Sequence, residues 1–289
     1  MIGSSALVVA AFITLLGSAA IGFGGAFAAL ARSPRTVPED GPSQAAPQRL
    51  SASTTALAGT VLAAILLLGS LAVRTAITGH APWSNLHEFS AAFAFALLVV
   101  FIGLALRMPI AGLTPGVALV GAGLLGVSLL QPDEVRPLVP ALQAPLLLTI
   151  HVGTAVLAYA IGAVAFASAV GEIVQRAARD GIASLPSASV CRVASHRAAI
   201  LALPILTAAI VLGSIWANLA WRSYWNNDPK ELAAAATWLV YGGYLHVAGR
   251  RDRWAAAAPW LLVLGFAAIL FTWLGAGLLF VGEHSYAGA

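Results

Sequence analysis

Long uninterrupted apolar runs constrain this chain more than any other feature. Each is about 18–26 residues, the length an α-helix needs to cross a hydrocarbon core. In lipid, only helices and closed barrels satisfy every backbone polar group. A membrane barrel requires strands that alternate apolar and polar residues, and these runs do not alternate. Of 289 residues, 60% are hydrophobic and 9% charged. Soluble domains carry roughly 45–50% and 25%. A soluble globular enzyme and a disordered chain are both excluded. The expected fold class is all-α, a polytopic integral membrane protein of about eight transmembrane helices.

The eight expected spans are Ser5–Leu30, Leu57–Val73, Ser90–Leu106, Ile110–Leu130, Leu146–Val170, Ala198–Ile215, Ala233–Val247 and Ala255–Val281. The first has no basic n-region and is too long for a signal-peptide core, so it reads as a true span. Residues 1–289 read as a single membrane domain without internal repeats. A Pro-, Ser- and charge-rich segment at 31–55 reads as a flexible inner loop. Residues 74–89 and 216–232 read as outer loops.

Orientation follows from Lys and Arg. One set of loops holds Arg32, Arg35, Arg49, Arg107, Arg176, Arg179, Arg192, Arg197, Arg250, Arg251 and Arg253; the other holds Arg74, Arg136, Arg222 and Lys230. The first set marks the inner side, which places both termini outside. The net charge of +4 therefore reports topology, and no nucleic-acid partner is implied.

Cys191 is the single cysteine. An intramolecular disulfide, a CxxC redox pair, a cysteine zinc site and a CxxCH haem attachment site are all excluded. No nucleophile–base pair, paired carboxylates or phosphate-binding glycine pattern stands out. Two helix starts are well marked. Asp228-Pro229-Lys230-Glu231 has an N-cap Asp, Pro at the first helical position and Glu three residues after the cap. Asn85-Leu86-His87-Glu88 has the same offset.

The stretch after the sixth span concentrates Trp216, Trp221, Tyr224 and Trp225 in ten residues. One reading is an interfacial aromatic belt. The other is a flat platform for a planar apolar ligand, with Arg222 and Lys230 placed to pair with carboxylates of that ligand and Asn218, Asn226 and Asn227 adding hydrogen bonds. His151, near the outer end of the fifth span, and His284, after the last span, share a depth with this loop. Each alone reads equally as an interfacial hydrogen-bonder. Together, facing an apolar slot, they suit an axial pair for haem iron. His246 lies about 21 Å inward of Leu232 along the seventh span. It is either a snorkelling side chain or a second site. His80 and His87 read as supporting or solvated groups, and His196 as solvated.

The loop Trp216–Glu231, the following Thr237-Trp238-Leu239-Val240-Tyr241 through Tyr244-Leu245-His246, the ending Gly282-Glu283-His284-Ser285-Tyr286 and the segment Trp83-Ser84-Asn85-Leu86-His87-Glu88 resemble the CcsA (ResC) family of system II cytochrome c biogenesis. The resemblance covers about Pro82 to Tyr286. It implies that His151 and His284 are axial ligands of an external haem b, bound non-covalently and held by Trp216, Trp221, Tyr224, Trp225, Arg222, Asp228 and Lys230. It implies that His246 ligates an internal haem. It implies a CcsB (ResB) membrane partner, apocytochrome c as acceptor of haem at its CxxCH thiols, and room for a thioredoxin-like thiol reductant. It places the protein in a bacterial cytoplasmic membrane or its thylakoid equivalent, with the tryptophan-rich loop outside. A role as subunit of a haem lyase would rest on orienting haem, since no acid–base set is evident. The sequence departs from the family pattern at Arg222, where glycine is usual, at Asn227, where tryptophan is usual, after Glu231, where Leu232 stands in place of a frequent tryptophan, and at His87, where tyrosine is usual. Two rival readings stay open: a system I haem-handling protein of the CcmC or CcmF type, and a non-haem transporter of small solutes.

Overall fold

The computed structural model describes residues 2–31, 51–135, 138–139, 142–143, 145–178, 181–250 and 256–284. Its elements are α1 (Ile2–Ala31), α2 (Ala52–Thr78), α3 (Leu86–Ala105), α4 (Thr114–Leu129), α5 (Pro145–Ala177), α6 (Ala188–Trp221), α7 (Pro229–Ala248), α8 (Ala258–Leu270) and, after a π-type turn at Phe271–Gly275, a last turn α9 (Ala276–Leu279). A single 3₁₀ turn, Ala111–Leu113, precedes α4.

Every expected span coincides with a helix. Seven helices are long and apolar enough to cross a membrane. The seventh expected span, α7, is a 20-residue helix that falls outside that group. Lys230, Glu231 and His246 at its ends and Thr237, Tyr241 and Tyr244 on its buried face dilute its apolar residues. It packs on α8 and α6, so its polar face meets protein rather than lipid.

Helix–helix packing in lipid favours small residues, because backbones must approach for dispersion contacts to accumulate. The core follows this rule. Ala63, Ala94, Ala118, Ala160, Ala165 and Ala199 are fully buried between helices. Large apolar side chains such as Ile13, Phe27, Ile65, Leu201 and Leu239 point outward.

Cross-helix contacts sort the bundle into two ends. At one end Ser5 donates to Asp133 at 2.6 Å, and Arg74 reaches Glu88 at 2.7 Å and the Asp133 carbonyl at 2.6 Å. This end gathers the start of α1, the end of α2, the start of α3 and the segment after α4. The starts of α5 and α7 and the end of α6 join it through His151 and His284. At the other end, Gln175 of α5 clamps the turn before α6 by donating to the Ile182, Leu185 and Pro186 carbonyls. His196 of α6 there meets the Tyr244 hydroxyl of α7 at 3.3 Å.

Several expectations need correction. Helix α6 runs 34 residues, well beyond Ala198–Ile215. It swallows Arg192, His196 and Arg197 at one end and Trp216 and Trp221 at the other. The segment expected as a loop from Trp216 to Leu232 is irregular only over residues 222–228. A hydropathy boundary marks where transfer into lipid stops being favourable, and a helix continues past it until something caps it. His196 is half-buried and paired rather than solvated. His87 is buried, its Nδ1 at 2.9 Å from the Ser128 carbonyl, so it ties α3 to α4. Of the 31–55 segment, residues 32–50 lie outside the described residues, and α2 already begins at Ala52, capped by Ser51. Arg32, Arg35, Arg49, Arg136, Arg179, Arg251, Arg253, Ser285 and Tyr286 also lie outside them.

Candidate functional site

A cleft opens at the end where α3, α5 and α7 begin. It encloses about 1200 Å³ of open space, counted out to its mouth. One wall is the segment before α3 together with its first turn, with Trp83, Asn85 and Phe89; a second is α5, with His151 and Tyr159; a third is α6, with Gly213 and Trp216. Tyr224 and Trp225 form a rim, and Lys230, Thr272, Trp273 and His284 complete the enclosure. The lining is mostly apolar with a few polar groups, the usual character of a small-molecule site.

His151 sits two turns inside α5. Its Nδ1 donates to the Ala209 carbonyl of α6 at 2.9 Å. This fixes the tautomer, so Nε2 carries the lone pair available to a metal. The ring lies nearly parallel to Trp216, 12° between planes with centroids 6.0 Å apart. Gly213, one turn after Ala209, makes room for the imidazole. A Cβ there would sit 2.6 Å from His151 Cε1.

His284 is placed by Asp228. Its Nδ1 is 2.8 Å from Oδ1, and its backbone N–H donates to Oδ2 at 3.3 Å. Nε2 is again the nitrogen a metal would take. Asp228 is also the N-cap of α7, accepting from the Lys230 N–H at 2.9 Å, while Glu231 reaches back to the Asp228 N–H at 3.1 Å. The capping box read from the sequence is thus present, and it does more than cap. Burial pushes the Asp228 carboxyl up, but the hydrogen bond and charge of His284, with the Lys230 and His284 N–H groups, outweigh burial and hold it at about 2.

The tryptophans do not form a flat platform. Trp216 is 1% exposed. It is wedged between the two histidines, 6.0 Å from His151 and 5.8 Å from His284 by ring centroids. Trp221 stands edge-on to Trp216 at 4.7 Å and to His284 at 5.0 Å, and so buttresses the imidazole. Both lie on α6, whose continuation past the expected boundary turns their faces into the protein. Tyr224 and Trp225 remain exposed, at 60% and 41%. Trp225 is steadied by its indole donating to Asn227 at 3.0 Å.

The other sequence candidates divide. Lys230 lines the cleft. Arg222 does not. It is the exposed C-cap of α6 at φ 61°, in the left-handed region, where a glycine carries no steric penalty. Asn227 shares that region at φ 56°. His246 lies in the last turn of α7, exposed, about 24 Å along the helix from Lys230. It belongs to the opposite end of the bundle and is not brought to the cleft.

Three features of the site escaped the sequence reading. The first is the ion pair of Arg74 with Glu88, both nearly fully buried. Glu88 also accepts from the Ser84 backbone and hydroxyl at 2.9 and 2.7 Å, which fixes the Trp83–Asn85 wall. The second is the π-type turn at Phe271–Gly275. The third is a pair of buried indole nitrogens, Trp83 Nε1 and Trp273 Nε1, that have no hydrogen-bond partner. The Asn85–Glu88 spacing was a signal for the first, but nothing in a single sequence pairs Glu88 with Arg74.

Known proteins are similar to this chain in sequence. The cytochrome C assembly protein family matches residues 83–284, which take in the walls of the cleft and both histidines. The cytochrome c biogenesis protein CcsA of Parasynechococcus marenigrum (strain WH8102) is 32% identical, with 78% of this chain and 84% of that protein covered. CcsA of Synechococcus sp. (strain CC9605) is 33% identical, with 78% and 84% covered. CcsA of Guillardia theta is 30% identical, with 78% and 83% covered. This chain belongs to the cytochrome c assembly protein family, among its CcsA members.

Proposed function

We propose that this protein works in cytochrome c biogenesis by binding haem b in its cleft and presenting it to apocytochrome c. One observation carries the reading: two imidazoles line the same apolar cleft, each with Nδ1 committed to an acceptor, Ala209 O for His151 and Asp228 for His284. That arrangement makes Nε2 the nitrogen each imidazole would offer to a shared ligand and suits ligation of haem iron. Buried indole N–H groups without partners on the cleft wall fit a ligand that brings its own acceptors. When bound, haem supplies the vinyl groups that react with the thiols of a CxxCH acceptor.

The protein's share of the chemistry is orientation and exclusion of water. His151, anchored inside α5, and His284, on the short segment after α9, are the residues that would hold the iron. Trp216 and Trp221 keep both rings in register, and Tyr224 and Trp225 close the rim. A productive pose of this kind replaces an encounter in solution by a prepaid geometry. The cleft end of the bundle is assigned to the outer side, on the positive-inside bias of the chain, so the tryptophan-rich segment and both termini face the compartment where cytochromes c mature. A CcsB-type membrane subunit is the expected partner, with a thioredoxin-like reductant keeping acceptor thiols reduced. His246 would serve a second haem entering from the opposite side.

The test is a reduced-minus-oxidised absorption spectrum of the detergent-purified protein, with His151→Ala and His284→Ala alongside. Sharp low-spin bands that weaken or turn high-spin in either variant are expected. A colourless protein, even when co-expressed with a CcsB-type subunit under haem-replete conditions, refutes haem handling.

A further inference from the structure

The wall that α7 and the end of α8 present to the cleft carries two polar groups that the ligation scheme leaves unused. Trp273 is 6% exposed, yet its Nε1–H has no hydrogen-bond partner. A buried donor left unmade is destabilising, and in lipid no bulk water relieves it. The π-type turn maintains this arrangement: the Ala276 N–H reaches back five residues to Phe271 O, and the widened turn sets both Thr272 and Trp273 on the cleft wall. Such turns cluster at functional sites. Thr272 is satisfied by the Ala268 carbonyl and Thr237; Trp273 is not.

Lys230 stands beside it. A Cβ on Gly277, four residues after Trp273, would lie 3.6 Å from Lys230 Cε and 3.8 Å from Nζ. The ammonium therefore lies against the backbone at Gly277, one turn along the chain from Trp273, and both side chains line the same cleft. Among the described residues, no carboxylate comes within ion-pair distance of it. The Asp228 carboxylate acts on this ammonium only from beyond ion-pair distance, and an ammonium without an ion-pair partner beside an unpartnered donor, both on the wall of an apolar cleft, suits an anion.

The geometry points to a carboxylate subsite on the α7–α8 wall, in which Lys230 Nζ and Trp273 Nε1–H together hold a carboxylate of the ligand. This rests on the haem reading above and adds an orientation to it. The carboxylates of haem lie on one edge of the macrocycle and the vinyl groups on the edge away from them. Anchoring the carboxylates at this wall directs the vinyl edge away from it. Ligation by two histidines alone leaves the macrocycle able to rotate about the axis joining them, and the subsite removes that freedom.

The test compares haemin with its dimethyl ester, which keeps the ring and the iron and loses both charges. Each is titrated into the detergent-purified full-length protein, with the low-spin Soret band reporting specific binding. The wild-type protein is expected to prefer the diacid by about tenfold or more, the scale of hydrogen bonds to charged groups. Trp273→Phe and Lys230→Met should each erase most of that preference while leaving diester binding within about twofold. Arg222→Gln removes a cation that stands outside the cleft, at the C-cap of α6, and should keep the preference. A wild-type protein that binds both probes equally, or a preference untouched by both variants, overturns the subsite and leaves the haem reading standing. If neither probe gives a low-spin band with the wild-type protein, the haem reading itself falls.

Discussion

Replacing Asp228 by Asn separates two jobs that one side chain performs. Asn and Asp are equally good N-caps, so the start of α7 should survive. What is lost is the charge facing His284 Nδ1 at 2.8 Å. The carboxyl is held at about 2 instead of 3.8, a displacement that corresponds to about 2 kcal/mol of coupling, and a hydrogen bond to a charged partner is worth about the same. The sign follows from the direction of the shift. A depressed carboxyl stabilises the fold fully above its unfolded value of 3.8, and that contribution fades as pH falls toward about 2. Loss of a partner of this kind weakens metal binding by a metal-ligating histidine by about 10–100-fold. Haemin titration followed by the low-spin Soret band should therefore show Asp228→Asn binding about tenfold or more weakly, with unchanged helix content by circular dichroism. Asp228→Ala should lose a further 1 kcal/mol or so of stability, because the cap goes as well. Wild-type haemin affinity in Asp228→Asn would refute the claim that this carboxylate positions His284.

Two other substitutions test the site from different sides. Gly213→Ala puts a Cβ 2.6 Å from His151 Cε1; the imidazole must shift off the Ala209 carbonyl, and the spectrum of the haem-loaded protein should move toward high spin, while adding His284→Ala in the same background removes the remaining ligand and should abolish the specific band. Arg222→Gly removes a non-glycine residue from φ 61°; relief of about 1 kcal/mol should raise the thermal midpoint by a few degrees without changing haemin affinity, since Arg222 is outside the cleft.

How far the sequence carries depends on the kind of information each feature needs. Apolar runs located every helix, because crossing lipid is a property of a segment by itself. The capping box at Asp228 was legible for the same reason. His151 and His284 were legible as a pair through their shared depth, and the structure puts both on one cleft. The extent of α6 was not legible. Its polar ends fail a lipid criterion, while the Ser187 cap and the left-handed Arg222 set where it stops. That error had a consequence at the site: Trp216 and Trp221, taken as a loop platform, are helical and wedge beneath the histidines. Arg74 looked like a loop charge that sets orientation. It lies inside α2 and pairs with Glu88 from another helix, a contact between separate spans that no single-sequence pattern reports. Trp273 was silent for a related reason, since an unpartnered indole is defined by what surrounds it.

The two imidazoles are not equivalent, and on the haem-presenting role proposed above the difference matters. His151 is built into a 33-residue helix, stacked on a buried tryptophan, and tied to the backbone of α6. To withdraw it from a ligand, α5 would have to part from α6. His284 stands outside any helix, five residues after the end of α9, and is held by Asp228 and by contact with Trp216 and Trp221. Its release parts the hydrogen bonds to Asp228 and the contacts with Trp216 and Trp221, and leaves the α7 cap on Asp228 intact, because the Lys230 N–H bond does not depend on it. On the haem-presenting role proposed above, a histidine of an acceptor protein would displace His284 at a smaller structural cost than His151, so His151 would serve retention and His284 exchange, with Asp228 tuning the latter.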